Sequence, residues 1–299
     1  MEQPIRMGLV GAGPWAQLFT GPLLAAGPHL VLDAVWARRP EAAAAVAERH
    51  GAHRAHTLDE LIDRCDAIAF AVPPDVQAAL AARVAAAGRP VLLDKPIGMT
   101  VIQAEQLAAA VDEAGVVSQV VLTNRYLPAM REFLDRTSTF EAHGGQAVFL
   151  GGGAMEGNYF GTPWRLEHGG LLDLGPHVLD ALDVALGPIV DVRGAGDPLG
   201  TVVLTCTHQS GVVSSAVMSG TTPVEPSGLL VEVYGRAGRV RLDTAWTDAD
   251  EGRRQFAAAM STIASEFAAA VRSGVPHPLD ARRGLHLQRL IDVAERSMR

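Results

Sequence analysis

Three side chains carry the chemistry needed to pass a proton to or from a substrate: the amine of Lys95, the carboxylate of Asp173 and the imidazole of His177. Lys95 follows an apolar run in Leu93-Asp94-Lys95-Pro96. A lysine titrates near about 10.4, and burial beside a positive charge lowers that toward about 7–8, where an amine exchanges protons effectively. Asp173 and His177 stand four residues apart in Gly169-Gly170-Leu171-Leu172-Asp173-Leu174-Gly175-Pro176-His177-Val178-Leu179-Asp180. On a helical turn they share a face, so both can act on one substrate. The glycines before them allow close approach, and apolar neighbours surround each polar residue.

A second constellation lies near the start of the chain. Gly11-Ala12-Gly13-Pro14-Trp15-Ala16 follows the apolar run Ile5 to Val10. The first glycine permits a tight turn, the second lets the backbone approach a pyrophosphate, and the small Ala16 lets a helix pack close to the strand. The helix N-terminus then offers N–H groups and a positive dipole to phosphate. At the end of the next apolar run stands Ala37-Arg38-Arg39. A carboxylate there would accept the ribose hydroxyls of NAD(H); two guanidiniums instead match a 2′-phosphate, so NADP(H) is favoured over NAD(H).

These groups must be positioned by a regular alternation of elements. Through residue 122, short apolar strands (Ile5 to Val10, Leu30 to Trp36, Ala67 to Val72, Val91 to Leu93, Val116 to Leu122) alternate with helices. Pro40 opens one helix and Gly51 stops it; Thr57/Glu60 and Thr100/Gln103 have the capping-box spacing. Apolar strands separated by helices of this length predict a doubly wound parallel sheet, a Rossmann α/β domain over 1–122, with ligands at the C-terminal strand edge.

From residue 123 the pattern changes. Helices are predicted over Pro128 to Arg136 and His177 to Leu186, with a strand over Gln146 to Leu150. Five strands then follow closely (Val190 to Gly194, Val202 to Thr207, Val212 to Met218, Leu229 to Tyr234, Val240 to Leu242), before helices at Gln255 to Ser273 and Ala281 to Ser297. This predicts a C-terminal α+β domain over 123–299 with an open, mostly antiparallel sheet. Its uncovered face predicts a homo-oligomer, dimer or tetramer, formed through that sheet.

Composition narrows the classes. With 48% hydrophobic residues the chain can bury a substantial core, and a net charge of −8 disfavours nucleic acid. Cys65 and Cys206 sit in apolar runs and read as buried thiols of a reducing compartment. The apolar stretch from Met7 to Gly27 is interrupted by Gly11, Gly13, Pro14, Gln17 and Pro22, so neither a secretory signal nor a membrane span is expected and a cytoplasmic location is. His50, His53 and His56 straddle Gly51 and share no regular face, and Asp173, His177 and His168 lack a zinc-type arrangement; no metal is expected. A nucleophile elbow is also missing.

The order of GAGPWA, AVPP, DKP, NRYLP, WR and GGLLDLGPHVLD resembles the Gfo/Idh/MocA oxidoreductases, the glucose–fructose oxidoreductase and inositol dehydrogenase relatives, over nearly the whole chain. The resemblance implies hydride transfer between nicotinamide and a carbon bearing a hydroxyl or carbonyl, on a sugar, polyol or related small molecule. Carried over by position, Lys95 hydrogen-bonds the reacting oxygen, and Asp173 and His177 form the acid/base pair. His177 is the better proton carrier because imidazole titrates near neutrality, and which of Lys95 and His177 moves the proton varies among relatives. Asp180 takes a structural place. Arg125, Trp164 and Arg165 line the substrate cleft between the domains. Pro73, Gln77, Asp94 and Lys95 join Gly11, Gly13, Pro14, Trp15, Ala16, Arg38 and Arg39 as coenzyme-binding residues. The chain departs from the family pattern with Asp94 where Glu is common, Gln77 where His is frequent and His168 where a third glycine is usual. Two other activities share this fold, a nicotinamide-dependent glycosidase and a non-catalytic cofactor-sensing regulator. Retention of Lys95, Asp173 and His177 weighs against the regulator, and the arginine pair against the glycosidase.

Overall fold

A computed structural model describes residues 3–298 of the chain. By compactness the chain divides into two units, Met1–Val121 with Met260–Leu285, and Leu122–Ala259 with His286–Arg299.

The first unit is built on six parallel strands: β1 (Ile5–Val10), β2 (Leu30–Trp36), β3 (His53–Arg54), β4 (Ala67–Phe70), β5 (Val91–Asp94) and β6 (Ser118–Val121), in the order β3-β2-β1-β4-β5-β6. The crossover helices are α1 (Gly21–Ala25), α2 (Pro40–His50), α3 (Leu58–Arg64), α4 (Pro74–Ala86) and α5 (Val101–Ala114). Residues such as Leu9, Val10, Ile68, Ala69 and Leu93 are sealed from solvent, as a sheet covered on both faces requires. Both helices are N-capped: Thr57 Oγ1 accepts the Glu60 N–H at 3.1 Å, and Thr100 Oγ1 accepts the Gln103 N–H at 3.3 Å, while the Glu60 and Gln103 side chains accept from the N–H one residue before each cap. Strand order reverses between β1 and β4, the point at which such sheets open a ligand crevice.

One part of this unit comes from far along the chain. β6 is an edge strand, and residues 260–285 cover it. The Val120 N–H donates to Leu279 O at 2.6 Å, the Ala281 N–H donates to Ser118 Oγ at 3.0 Å, and Gln119 Nε2 donates to Ile263 O at 3.2 Å. The segment read from sequence as part of the second domain thus packs with the first. An edge strand has backbone groups to satisfy, and this segment takes up the Val120 N–H and the Ser118 and Gln119 side chains.

The second unit holds α6 (Pro128–Thr137), β7 (Ala142–Leu150), α7 (Pro163–Leu186), β8 (Ile189–Gly196), β9 (Thr201–His208), β10 (Val213–Ser219), β11 (Gly228–Gly235) and β12 (Gly238–Asp243). The chain ends in α8 (Ala249–Ser273) and α9 (Ala281–Ser297), each of which contributes residues to both units. The sheet order is β12-β11-β7-β10-β9-β8; β7 and β10 run parallel and every other neighbouring pair antiparallel. Alternation is clear in β9, where Val202, Leu204 and Cys206 are buried and Thr201, Val203 and Thr205 are exposed. α7 packs on this sheet and is buried along most of its second half. Among the described residues, no helix is long and apolar enough to cross a membrane.

Candidate active site

The glycine turn leaves β1 at the strand-order reversal. The Gly11 N–H donates to Trp36 O at 2.9 Å, tying the turn to the end of β2. Gly11 has φ +122°, and a Cβ there would run into the carbonyl oxygen of Ala71 just past β4, so only glycine fits. Nothing lies within 4 Å of where a Gly13 Cβ would stand. A helical stretch begins at Pro14, passes through a π-turn at Ala16–Thr20 and continues into α1. Gln17 fastens it from inside, its N–H donating to Gly13 O at 3.1 Å and its Nε2 to Ala12 O at 3.2 Å. Ala16 is fully buried, and Trp15 stacks on Phe19 at 4.5 Å between ring centroids. A helix start beside open space, directly after a strand, offers a pyrophosphate its first-turn N–H donors, so these residues fit a dinucleotide. Arg38 and Arg39 are exposed just beyond β2, and Pro73 is exposed at the entry to α4.

Asp94 and Lys95, both half-buried, occupy the end of β5 on the same edge of the sheet. Asp94 Oδ1 accepts the Lys95 N–H at 2.9 Å. Gln77, expected to face a coenzyme, is instead 1% exposed and bonded to this turn. Its Oε1 accepts the Asp94 N–H at 2.8 Å, and its Nε2 donates to Asp94 O at 2.8 Å and Pro96 O at 3.3 Å. Burial and three bonds to backbone remove it from the residues open to a ligand.

Composition singles out Lys95 in a way that motif spacing does not. It is the chain's only lysine, every other residue in the Lys+Arg total of 25 being arginine. A guanidinium stays protonated to above about pH 12. Lys95 is therefore the one place where the chain keeps a side-chain amine instead of a guanidinium.

In the second unit, α7 carries Trp164, Arg165, Asp173 and His177. Gly169 interrupts it with φ +69° and ψ −162°, so α7 is two helices meeting at a break. A Cβ on Gly169 would run into Pro198 O, whereas the Gly170 N–H donates to that same oxygen at 3.1 Å. Across the break, Arg165 Nε lies 3.1 Å from Asp173 Oδ2. Arg165 also donates from Nη1 to Thr162 Oγ1 at 3.2 Å and covers the Trp164 ring, with Cζ 4.4 Å from its centroid. Asp173 and His177 are both 8% exposed, one helical turn apart, and Phe149 of β7 packs 6.2 Å from the imidazole centroid.

Arg125, expected to line a cleft, pairs with a carboxylate of α7. Its Nη1 lies 3.1 and 3.0 Å from the two carboxylate oxygens of Asp180, which is 1% exposed, two turns beyond Asp173. The strong pull of a buried carboxylate on a guanidinium accounts for this placement, and it ties the Thr123–Tyr126 turn to α7. Asp180 thus has the structural place expected of it.

Other reactive side chains are engaged in structure. Burial pushes the thiols of Cys65 and Cys206 up to about 12, and both are free cysteines. His208 is buried between Gly187 O at 2.6 Å and Ser214 Oγ at 2.8 Å. His53 pairs with Glu60 at 2.7 Å, while His56 Nδ1 lies 3.1 Å from Arg54 Nη2. Among the described residues no three His, Cys, Asp or Glu side chains gather as a metal site.

Comparison with known proteins agrees with this architecture. A family model described as an oxidoreductase family with an NAD-binding Rossmann fold matches residues 5–122. A dTDP-3,4-didehydro-2,6-dideoxy-alpha-D-glucose 3-reductase of Streptomyces antibioticus is 30% identical over 334 aligned positions, covering 97% of each chain. The rhizopine catabolism protein MocA of Rhizobium meliloti is 26% identical, covering 91% of this chain and 88% of its own. Among solved structures, GenD2 from gentamicin A biosynthesis, in complex with NAD, aligns with a TM-score of 0.85 at 24% identity, covering 99% of this chain and 95% of its own; that likeness speaks for the fold. Identity sustained along nearly the full length of the Streptomyces reductase, on top of the matched coenzyme domain, makes this chain a member of the Gfo/Idh/MocA family of NAD(P)-dependent oxidoreductases.

Proposed function

We propose that this oxidoreductase transfers a hydride between NADP(H) and a carbonyl or hydroxyl carbon of a sugar, polyol or related small molecule. The observation that carries the proposal is the chain's single lysine, presented at a braced turn on the ligand edge of the parallel sheet. The sugar class is supported by the activity named for the Streptomyces relative, and NADP(H) by the exposed Arg38 and Arg39 with no carboxylate at Ala37. The first unit serves the coenzyme and the second the substrate.

A bound nicotinamide supplies or accepts the hydride. Lys95 Nζ donates a hydrogen bond to the reacting oxygen and so stabilises the charge that develops there. His177 holds the proton which that oxygen gains or loses, an imidazole being suited to both directions near neutrality. Asp173, paired with the Arg165 guanidinium, accepts a hydrogen bond from a neighbouring hydroxyl. A cytoplasmic homo-oligomer formed through the second sheet belongs to the same proposal, supported by Val203 and Val213 exposed on its outward face.

Turnover of NADPH and NADH with a panel of keto sugars, free and nucleotide-linked, tests this reading. Lys95→Met and His177→Ala each lower kcat by about 10²–10⁴-fold with NADPH affinity kept. Unchanged turnover in both variants removes the mechanism. Equal efficiency with the two coenzymes, unaltered when Arg38 and Arg39 are replaced by alanine, removes the NADP(H) preference.

A further inference from the structure

Gln77 lies within the first turn of α4, on a different element from the amine it affects. Its carboxamide bonds the backbone on both sides of Lys95: the Asp94 N–H and C=O before it and the Pro96 C=O after it. The turn is also secured beyond Pro96. Ile97 is 1% exposed and lies where a Cβ on Gly284 would come within 2.7 Å of it, and Gln103 Oε1 accepts the Met99 N–H at 2.9 Å.

A space-filling role would leave the identity of residue 77 open to any side chain of that volume. The bonds restrict it far more. Two donors and one acceptor are used at once, and a carboxamide is the side chain that offers this set on one short planar group. A glutamate would face two carbonyl oxygens with acceptors only. A neutral histidine has one donor, and a methionine leaves three backbone groups without this partner, which is unfavourable where they are buried.

We propose that Gln77 is the positioning residue for Lys95: a neutral, non-titrating brace that fixes the backbone from Asp94 to Pro96 and with it the direction in which the amine is offered. This rests on the assignment of Lys95 to the reacting oxygen. Gln77 touches neither substrate nor coenzyme, so its removal affects the chemical step and spares coenzyme binding.

Because the chain holds one lysine, acetylation by an N-hydroxysuccinimide ester, followed by peptide mass, reads Lys95 without any substrate. Gln77→Met removes all three bonds, Gln77→Glu keeps the acceptor alone, and Gln77→His retains one donor and one acceptor. Thermal denaturation selects the temperature at which each variant is folded. In Gln77→Met and Gln77→Glu the acetylation rate of Lys95 rises and kcat falls roughly 10–10²-fold, the order that a misplacement of about 1 Å costs, while KM for NADPH holds. Gln77→His falls between these and the parent protein. Folded variants with unchanged labelling and kcat overturn the proposal, as does a loss confined to NADPH binding, the mark of a coenzyme contact. Should no variant fold, amide exchange in the unaltered protein decides: Asp94 exchanges as slowly as the core of β5 if Gln77 holds it, and at loop rates if not. A protein that turns over no sugar sinks the functional reading, yet the labelling comparison still judges Gln77.

Discussion

The turn after β5 and the second half of α7 fix their charged groups by opposite means. Lys95 is held through its backbone, by the neutral carboxamide of Gln77 bonded to the residues on either side. Asp173 is held by its own carboxylate, through the guanidinium of Arg165, itself laid over Trp164. A brace on the backbone aims the amine with a neutral group. An ion pair on the side chain does the reverse, setting a cation against the carboxylate itself. One device fixes a side chain's direction from its backbone; the other fixes a side chain at its own charged end.

The largest effect that would break this contrast is on turnover. Lys95→Arg preserves charge but replaces a compact ammonium with a longer planar fork that cannot aim one N–H at the same oxygen, and steady-state kinetics should show a loss of about 10²-fold or more. Full activity in that variant would mean that a fixed positive charge suffices. Next comes Arg165→Met, which takes the guanidinium away from a buried carboxylate and should lower stability by about 3 kcal/mol in urea denaturation. Adding Asp173→Asn should recover part of that loss, because the charge needing compensation is gone. Gly169→Ala puts a side chain at φ +69° against Pro198 O and should cost about 2 kcal/mol or more by the same measurement.

The smallest effect sharpens the comparison from outside. Asp66 pairs with Arg6 at 2.7 Å on the surface, and the hydrogen bond from that guanidinium is the main cause holding its carboxyl below the usual carboxylate range. Asp66→Asn should lower the urea midpoint only slightly at neutral pH, as loss of an exposed pair does. A lowered native pKa contributes stability above the unfolded value of about 3.9 and loses it as pH falls through the native value. The difference between variant and parent should therefore vanish in acid.

Local patterning carries the first unit. Strand, glycine turn and capped helix are written in adjacent residues, so Thr57 with Glu60 and Thr100 with Gln103 can be paired by spacing alone. α7 is harder to read. The sequence predicts a helix only over His177 to Leu186, whereas the structure runs helical from Pro163 across a single non-helical glycine. The partners of charged groups are not legible at all. Arg125 and Asp180 are 55 residues apart, and nothing periodic links them. Gln77 misleads for the same reason: its place in the sequence is beside a ligand-facing turn, but its bonds go to a loop brought close by folding. Likewise, amphipathic spacing in the last two helices shows that they are helices, not which sheet they cover. Two polar residues, Ser118 and Gln119, inside an otherwise apolar run are the one hint.

Completion of the coenzyme sheet from the far end of the chain bears on how the protein is made. The Rossmann strands are encoded before residue 122, but their β6 border is finished by residues 260–285. During synthesis the nascent sheet must wait, with one strand unprotected, until residues 260–285 have left the ribosome. A fragment cut at residue 122 would keep that raw border permanently and should self-associate, so anyone grafting this coenzyme module onto another scaffold must bring the distant segment along with it.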